Sequence, residues 1–165
     1  KFENGAKTSA FAYLFSSAGS SVAQNGIGGS LAALGRGALD VAGKIWALPN
    51  TIIGTMTGLA GVPFGVTIDF ANNAIQFENY PWGNGALTLG NSIIYGGGTS
   101  PGQMEQLYGD TRYLNIGLHE MGHTYQYQVL GPLFLPAYFA TGGISATNPF
   151  ERAANNYAGG GSWWP

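Results

Sequence analysis

The chain's two histidines, His119 and His123, stand four residues apart with Glu120 between them, and that spacing is chemically meaningful on a helix. At 3.6 residues per turn, positions i and i+4 lie one above the other on a single face, while position i+1 projects beside them. His119-Glu120-Met121-Gly122-His123 is therefore an H-E-x-x-H arrangement. Both imidazoles can reach one metal ion, and Glu120 is aimed as a general base at a water on that ion. Zinc fits these donors best, because imidazole is a favoured ligand and two histidines plus a carboxylate leave a fourth position for water. The helix that carries the motif is predicted from about Arg112 to Leu130, stopped by Gly131-Pro132. Gly122 weakens that helix but lets another backbone or a substrate approach closely.

A two-histidine site needs a third protein ligand. After His123 the chain has no histidine, no cysteine and one carboxylate, Glu151, which becomes the downstream candidate by elimination. It follows Asn148-Pro149-Phe150, where Pro149 suits the first position of a short helix running to about Tyr157. Upstream, Glu105 and Asp110 are not excluded by counting. Gln126, one more turn along the histidine face, is positioned to line a cleft.

Composition narrows the classes further. Charged residues are 8% of 165 and the net charge is −2, which excludes a basic nucleic-acid binder and an acidic solvating tail. The absence of cysteine removes disulfides, thiolate metal sites and a thiol nucleophile together. Apolar residues at 45% supply enough buried surface to offset ordering entropy. A surface solvated mainly by Asn, Gln, Ser, Thr and Tyr fits an exported protein, and the start at Lys1 fits a processed or excised piece.

Along the chain the expected class is α+β in a single domain, with a helical, glycine-rich part over 1–65 and a core carrying the motif over 66–165. Residues 1–26 read as a short docking helix, and Ser30–Leu48 as a second helix that Pro49 ends or kinks. The stretch 45–68 has no charge, and its glycines at 54, 58, 61 and 65 are spaced like seams between membrane helices; Pro49, Asn50, Pro63 and four threonines argue for a glycine-packed soluble element instead. From Val66 to Tyr95 the apolar period changes to two, giving four short strands separated by Asn72-Asn73, the run 79–85 and Gly90-Asn91, all read as hairpin turns of a small antiparallel sheet. The tail's paired Trp163 and Trp164 are expected to cover an apolar surface.

His119-Glu120-x-x-His123 followed by a helical glutamate resembles the gluzincin branch of zinc metallopeptidases. The resemblance spans roughly residues 93–157 and includes the strings HEMGHTYQ, LGPLFLP and NPFERAA. It implies His119, His123 and Glu151 as zinc ligands, Glu120 as the base that activates water for attack on a peptide bond, and a peptide or protein substrate. In that branch an acidic residue four positions after the ligand glutamate orients a ligand histidine; Asn155 stands here instead, keeping an acceptor oxygen without its charge. Related enzymes also use a His or Tyr to bind the developing oxyanion. With no histidine left over, Tyr157 is the first expectation, with Tyr125, Tyr138 and Arg152 behind it.

The opening residues, Lys1-Phe2-Glu3-Asn4-Gly5-Ala6 through Phe15, are similar to the junction near the toxin ends of rearrangement-hotspot and related polymorphic toxins. That similarity implies an effector secreted or delivered into a target cell, with an inhibitor or immunity protein as a partner. Two alternative readings stand beside the peptidase: a glycine-rich membrane-inserting or pore-forming effector in which residues 45–68 carry the activity and the metal is structural, and a zinc amidase acting on cell-wall peptides.

Overall fold

The computed structural model describes residues 26–165, with side chains from residue 35 onward; the expected docking helix and the toxin-like opening lie outside the described residues. The chain divides into two compact units between Ile45 and Trp46. The first contains most of helix α1 (Gly26–Trp46), in which Asp40 and Lys44 pair across one turn at 2.8 Å.

The second unit begins with helix α2 (Leu48–Ala60) and a 3-10 turn, Val62–Phe64. The expected break falls just ahead of Pro49: α1 ends at Trp46, and Pro49 occupies the first turn of α2, where its missing N–H costs nothing. All of the uncharged stretch after Ile45 thus lies in the unit that carries the histidine motif.

Four strands follow, β1 (Thr67–Ala71), β2 (Ala74–Tyr80), β3 (Gly85–Leu89) and β4 (Ser92–Gly96), in the order β1-β2-β4-β3. The predicted strands are present, but the sheet is mixed rather than antiparallel, because β2 and β4 run parallel. Asn72-Asn73 does form a hairpin, with both residues at positive φ (48° and 57°) as a type I′ turn requires. β3 and β4 also form one, with Leu89 opposite Ser92. The run 81–84 is different. It carries the chain two strand positions across the sheet, about 10 Å, and leaves the gap that β4 fills. The crossing passes over the end of β4, where a Cβ on Gly96 would lie 2.6 Å from the Trp82 carbonyl oxygen.

Strand β4 is buried along its whole length because both faces are covered. Ile93 and Tyr95 pack with Ala74 and Ile116 on one side; Ile94 packs with Phe77 and Val66 on the other. On that second side α2 lies close. A Cβ on Gly54 would be 2.9 Å from the Leu89 carbonyl oxygen, and one on Gly58 would be 2.2–2.5 Å from the Phe77 ring. The glycine row is therefore a seam against this sheet. Among the described residues no helix is long and apolar enough to cross a membrane.

A two-residue ladder, β5 (Met104–Glu105) with β6 (Leu114–Asn115), precedes helix α3 (Ile116–Leu130). A 3-10 turn and helix α4 (Phe134–Ala140) lead to helix α5 (Pro149–Ala158). The class is α+β. The aromatic residues Tyr127, Phe134, Tyr138 and Phe150 form the core between α3, α4 and α5.

Because Phe77 is fully buried and cannot swing away, Gly58→Val is expected to destabilise the protein by about 1–3 kcal/mol. Gly102→Ala, with nothing within 4 Å, serves as the neutral control. Urea unfolding of both checks this, and equal midpoints would contradict the packing described.

Candidate metal centre

Helix α3 starts at Asn115, whose side chain accepts a hydrogen bond from Leu118 N at 2.9 Å, and ends at Gly131, where φ is 55°. Helix α5 starts at Asn148, which accepts from Phe150 N at 3.0 Å with Pro149 behind it. Both helices thus start on an Asn side-chain cap. The two helices meet where Gly122 faces Ala154: a Cβ at Gly122 would sit 3.1 Å from the Ala154 Cα. The glycine inside the histidine motif is thus what lets α5 come near enough for Glu151 to face His119 and His123.

These three side chains converge. His119 Nε2 and Glu151 Oε2 are 3.1 Å apart, His123 Nε2 and Glu151 Oε2 are 3.4 Å apart, and the two Nε2 atoms are 3.2 Å apart. All three residues are buried. Glu151 has relative exposure of only 2%, so it is not a solvated first-turn glutamate. They form a group able to hold a metal ion. Of the upstream carboxylates, Asp110 instead engages Arg112 at 2.8 Å; the hydrogen bonds from that guanidinium hold its pKa down near 2. Glu105 is exposed in β5.

Surrounding groups settle which atoms face inward. Gln126, fully buried, donates through Nε2 to the carbonyls of Phe150 (3.1 Å) and Trp163 (2.8 Å). Two carbonyls can only accept, so the amide orientation is determined and Oε1 must be the atom 2.9 Å from His123 Nδ1. His123 therefore carries its hydrogen on Nδ1 and points a lone pair from Nε2. Gln126 is a buried support rather than part of a cleft wall. On the carboxylate, the Tyr138 hydroxyl donates to Oε1, and Oε2 is the oxygen turned toward the two rings. Glu120 also lies at the site, with Thr88 of β3 donating to its Oε2 at 2.5 Å.

Tyr157 is not in this group. Its hydroxyl reaches Met121 Sδ at 3.8 Å and its ring stacks edge-on against Tyr125 at 5.7 Å. Met121, two positions after His119, points about 200° away around the helix, so Tyr157 and Tyr125 lie behind α3. Arg152 lines a separate open cavity of about 590 Å³ together with Tyr108, Arg112 and Trp164. A smaller cavity of about 110 Å³ is the one that reaches the motif, lined by Ala86, Thr88, Tyr108, Glu120, His123, Tyr138 and Glu151. The tryptophans of the tail cover aromatic surface as expected, Trp163 on Tyr125 and Trp164 on Phe150. Asn155 does not bond to a histidine; it donates to the Leu107 carbonyl at 2.8 Å.

Sequence reasoning missed two contributors to the site: Thr88, a polar residue of β3, and Tyr108, which belongs to a loop and carries no periodic or spacing signal. Tyr138, read from the sequence as a reserve oxyanion donor, instead holds Glu151. Comparison of the chain with family models, with curated proteins and with solved structures finds no match.

With no cation bound, burial works against charge on His123, but the hydrogen bond to Glu151 and the Glu120 and Glu151 carboxylates outweigh it and raise its pKa. Burial likewise opposes ionised Glu151, and the bonds from His119 and His123 overcome it, drawing its pKa to about 2. The His123 contribution to stability is complete below the ordinary value of about 6.5 and is lost as pH rises through the raised value; that of Glu151 is present above about 4.3 and is lost as pH falls through about 2. A divalent cation held by the same atoms would replace the shared proton. Chelator-treated protein should therefore melt at a lower temperature at pH 9 than at pH 6, while the increase in melting temperature on adding a divalent cation grows over the same range. A cation effect indifferent to pH would contradict the proposed competition.

Proposed function

We propose that this chain is a zinc-dependent hydrolase of peptide amide bonds, of gluzincin type, with His119, His123 and Glu151 as ligands and Glu120 as general base. The observation that carries the reading is the triangle of ligand atoms, with sides of 3.1, 3.2 and 3.4 Å, beside a held carboxylate. Atoms about 2.0–2.2 Å from a tetrahedral zinc ion lie about 3.3–3.6 Å from one another; the 3.4 Å side lies in that range, and the sides of 3.1 and 3.2 Å are slightly short of it. A donor set of two imidazoles and one carboxylate oxygen suits zinc and leaves a fourth position open. Bound there, the ion supplies Lewis-acid chemistry, bringing the pKa of a water toward neutrality and polarising a carbonyl.

The protein groups account for the remaining requirements. Glu120 accepts the proton of the attacking water and returns it to the leaving amine; Thr88 limits its rotation. Tyr138 holds Glu151 to a single inward oxygen, and Gln126 holds His123 in the tautomer that presents Nε2. Substrate recognition is supported by β3. Among the described residues it is an edge strand, paired with β4 alone, and its residues Ala86, Leu87 and Thr88 line the cavity that contains Glu120. An extended peptide can add to that free edge by main-chain hydrogen bonds, which favours a peptide substrate with little dependence on side chains. Whether the amide belongs to a protein or a cell-wall stem is decided by what the cavity accepts. Within this reading the toxin-like opening supports secretion or delivery to a target cell, and an inhibitor or immunity protein as the natural partner.

The purified protein should contain close to one zinc per chain by elemental analysis and cleave peptide amides, with protein and cell-wall digests compared by mass spectrometry. Glu120→Gln should retain the metal and lose hydrolysis by roughly 10²–10⁴-fold. Glu151→Ala should lower zinc occupancy. Full hydrolysis by Glu120→Gln would remove the base assignment, and unchanged zinc in Glu151→Ala would remove the third ligand.

A further inference from the structure

The oxyanion expected in amide hydrolysis needs a donor, and the tyrosines around the cavity are not equivalent. The hydroxyl of Tyr138 is engaged by Glu151. Tyr127 also lines the small cavity, but it is fully buried and its unpartnered hydroxyl is shut away in the core; the hydroxyl of Tyr157 lies behind α3 against Met121. Tyr108 differs from all of these. Its ring lies 5.6 Å from the ring of His119 at an interplanar angle of 32°, it is half-buried, and it lines both the small cavity of the site and the larger one beside it. Among the described residues its hydroxyl has no hydrogen-bond partner.

The loop holds Tyr108 in an unusual backbone state. Its φ is 47°, and that of the following Gly109 is 78°; a side chain larger than Asn is uncommon there and persists only when its surroundings enforce it. The enforcement is visible. At its base the loop is closed by the β5–β6 ladder immediately before α3. At its tip the Leu107 carbonyl accepts from Asp110 N at 3.0 Å and from Asn155 Nδ2 at 2.8 Å, while Gly109 lies close to Ala146. Asn155 is one turn beyond Glu151 on α5. A carboxylate at that position cannot donate to a carbonyl, so the amide is chemically required by the loop it holds.

We infer that Tyr108 is a catalytic residue that donates a hydrogen bond from its hydroxyl to the scissile carbonyl oxygen as that oxygen gains charge, and that Asn155 is the positioning residue that holds its loop. The proton stays on the phenol throughout, so no co-reactant is needed. The inference rests on the amide-hydrolase reading above, and it assigns to the donor role a residue from before the histidine motif in place of Tyr157.

The test uses the zinc-loaded protein and a fluorogenic peptide that the wild type cleaves. Tyr108→Phe should keep its zinc content and melting temperature, lose roughly 10²–10³-fold in kcat with little change in KM, and lose a similar factor in affinity for a phosphinic peptide, a tetrahedral mimic, by calorimetry. Asn155→Asp should lower kcat in the wild-type background and add little in the Tyr108→Phe background, as expected for residues that act as a unit. Three results would overturn the inference: unchanged kcat and unchanged phosphinic-peptide affinity in Tyr108→Phe, a change confined to KM, or loss of zinc. A wild type that cleaves no amide removes the parent reading and this one with it, whereas an active wild type with fully active Tyr108→Phe removes this one alone.

Discussion

Three electron pairs held 3.1–3.4 Å apart in a buried place repel one another, and only a cation or shared protons make such a cluster favourable. Much of the second unit is arranged to maintain it. The tautomer of His123 depends on Gln126, whose amide is oriented by two carbonyls, one of them from the C-terminal tail. The single inward oxygen of Glu151 depends on Tyr138. Glu120 depends on Thr88, which also ties α3 to the edge strand of the sheet. Each support comes from a different element, so the site links the sheet, α3, α4, α5 and the tail.

The close contact between α3 and α5 shows how packing and chemistry share residues. Gly122 destabilises its helix relative to Ala, yet a Cβ there would lie 3.1 Å from the Ala154 Cα and press on α5. The same logic governs α2, where Gly54 and Gly58 let the helix backbone approach β2, β3 and β4. Such a glycine row has the spacing of a membrane seam, and what it packs against is decided by the partner surface: here Phe77, Leu89 and Ser92.

The strands and their turns were legible because alternation and Asn/Gly chemistry are local. Asn72-Asn73 predicts a hairpin and makes one. The parallel pairing of β2 with β4 was not legible, since the run 79–85 has the composition of a turn whether it joins neighbours or crosses two strand positions. At the site, His119, Glu120, His123 and Glu151 could be read from spacing and elimination. Tyr157 was chosen for its place on the same helix as Glu151; six residues along a helix amount to about 600°, so its side chain leaves α5 about 120° around from Glu151, and its hydroxyl lies against Met121.

Sequence alone determined that two imidazoles share one helix face with a carboxylate beside them, because that relation depends only on helical periodicity. It also determined that a single later acid was available to complete the set. Tertiary structure alone decided that Glu151 meets them, that β3 presents its free edge there, and that Tyr108 rather than Tyr157 faces the same space. Those relations join residues tens of positions apart through the packing of one surface on another, and no local period records which surfaces will meet.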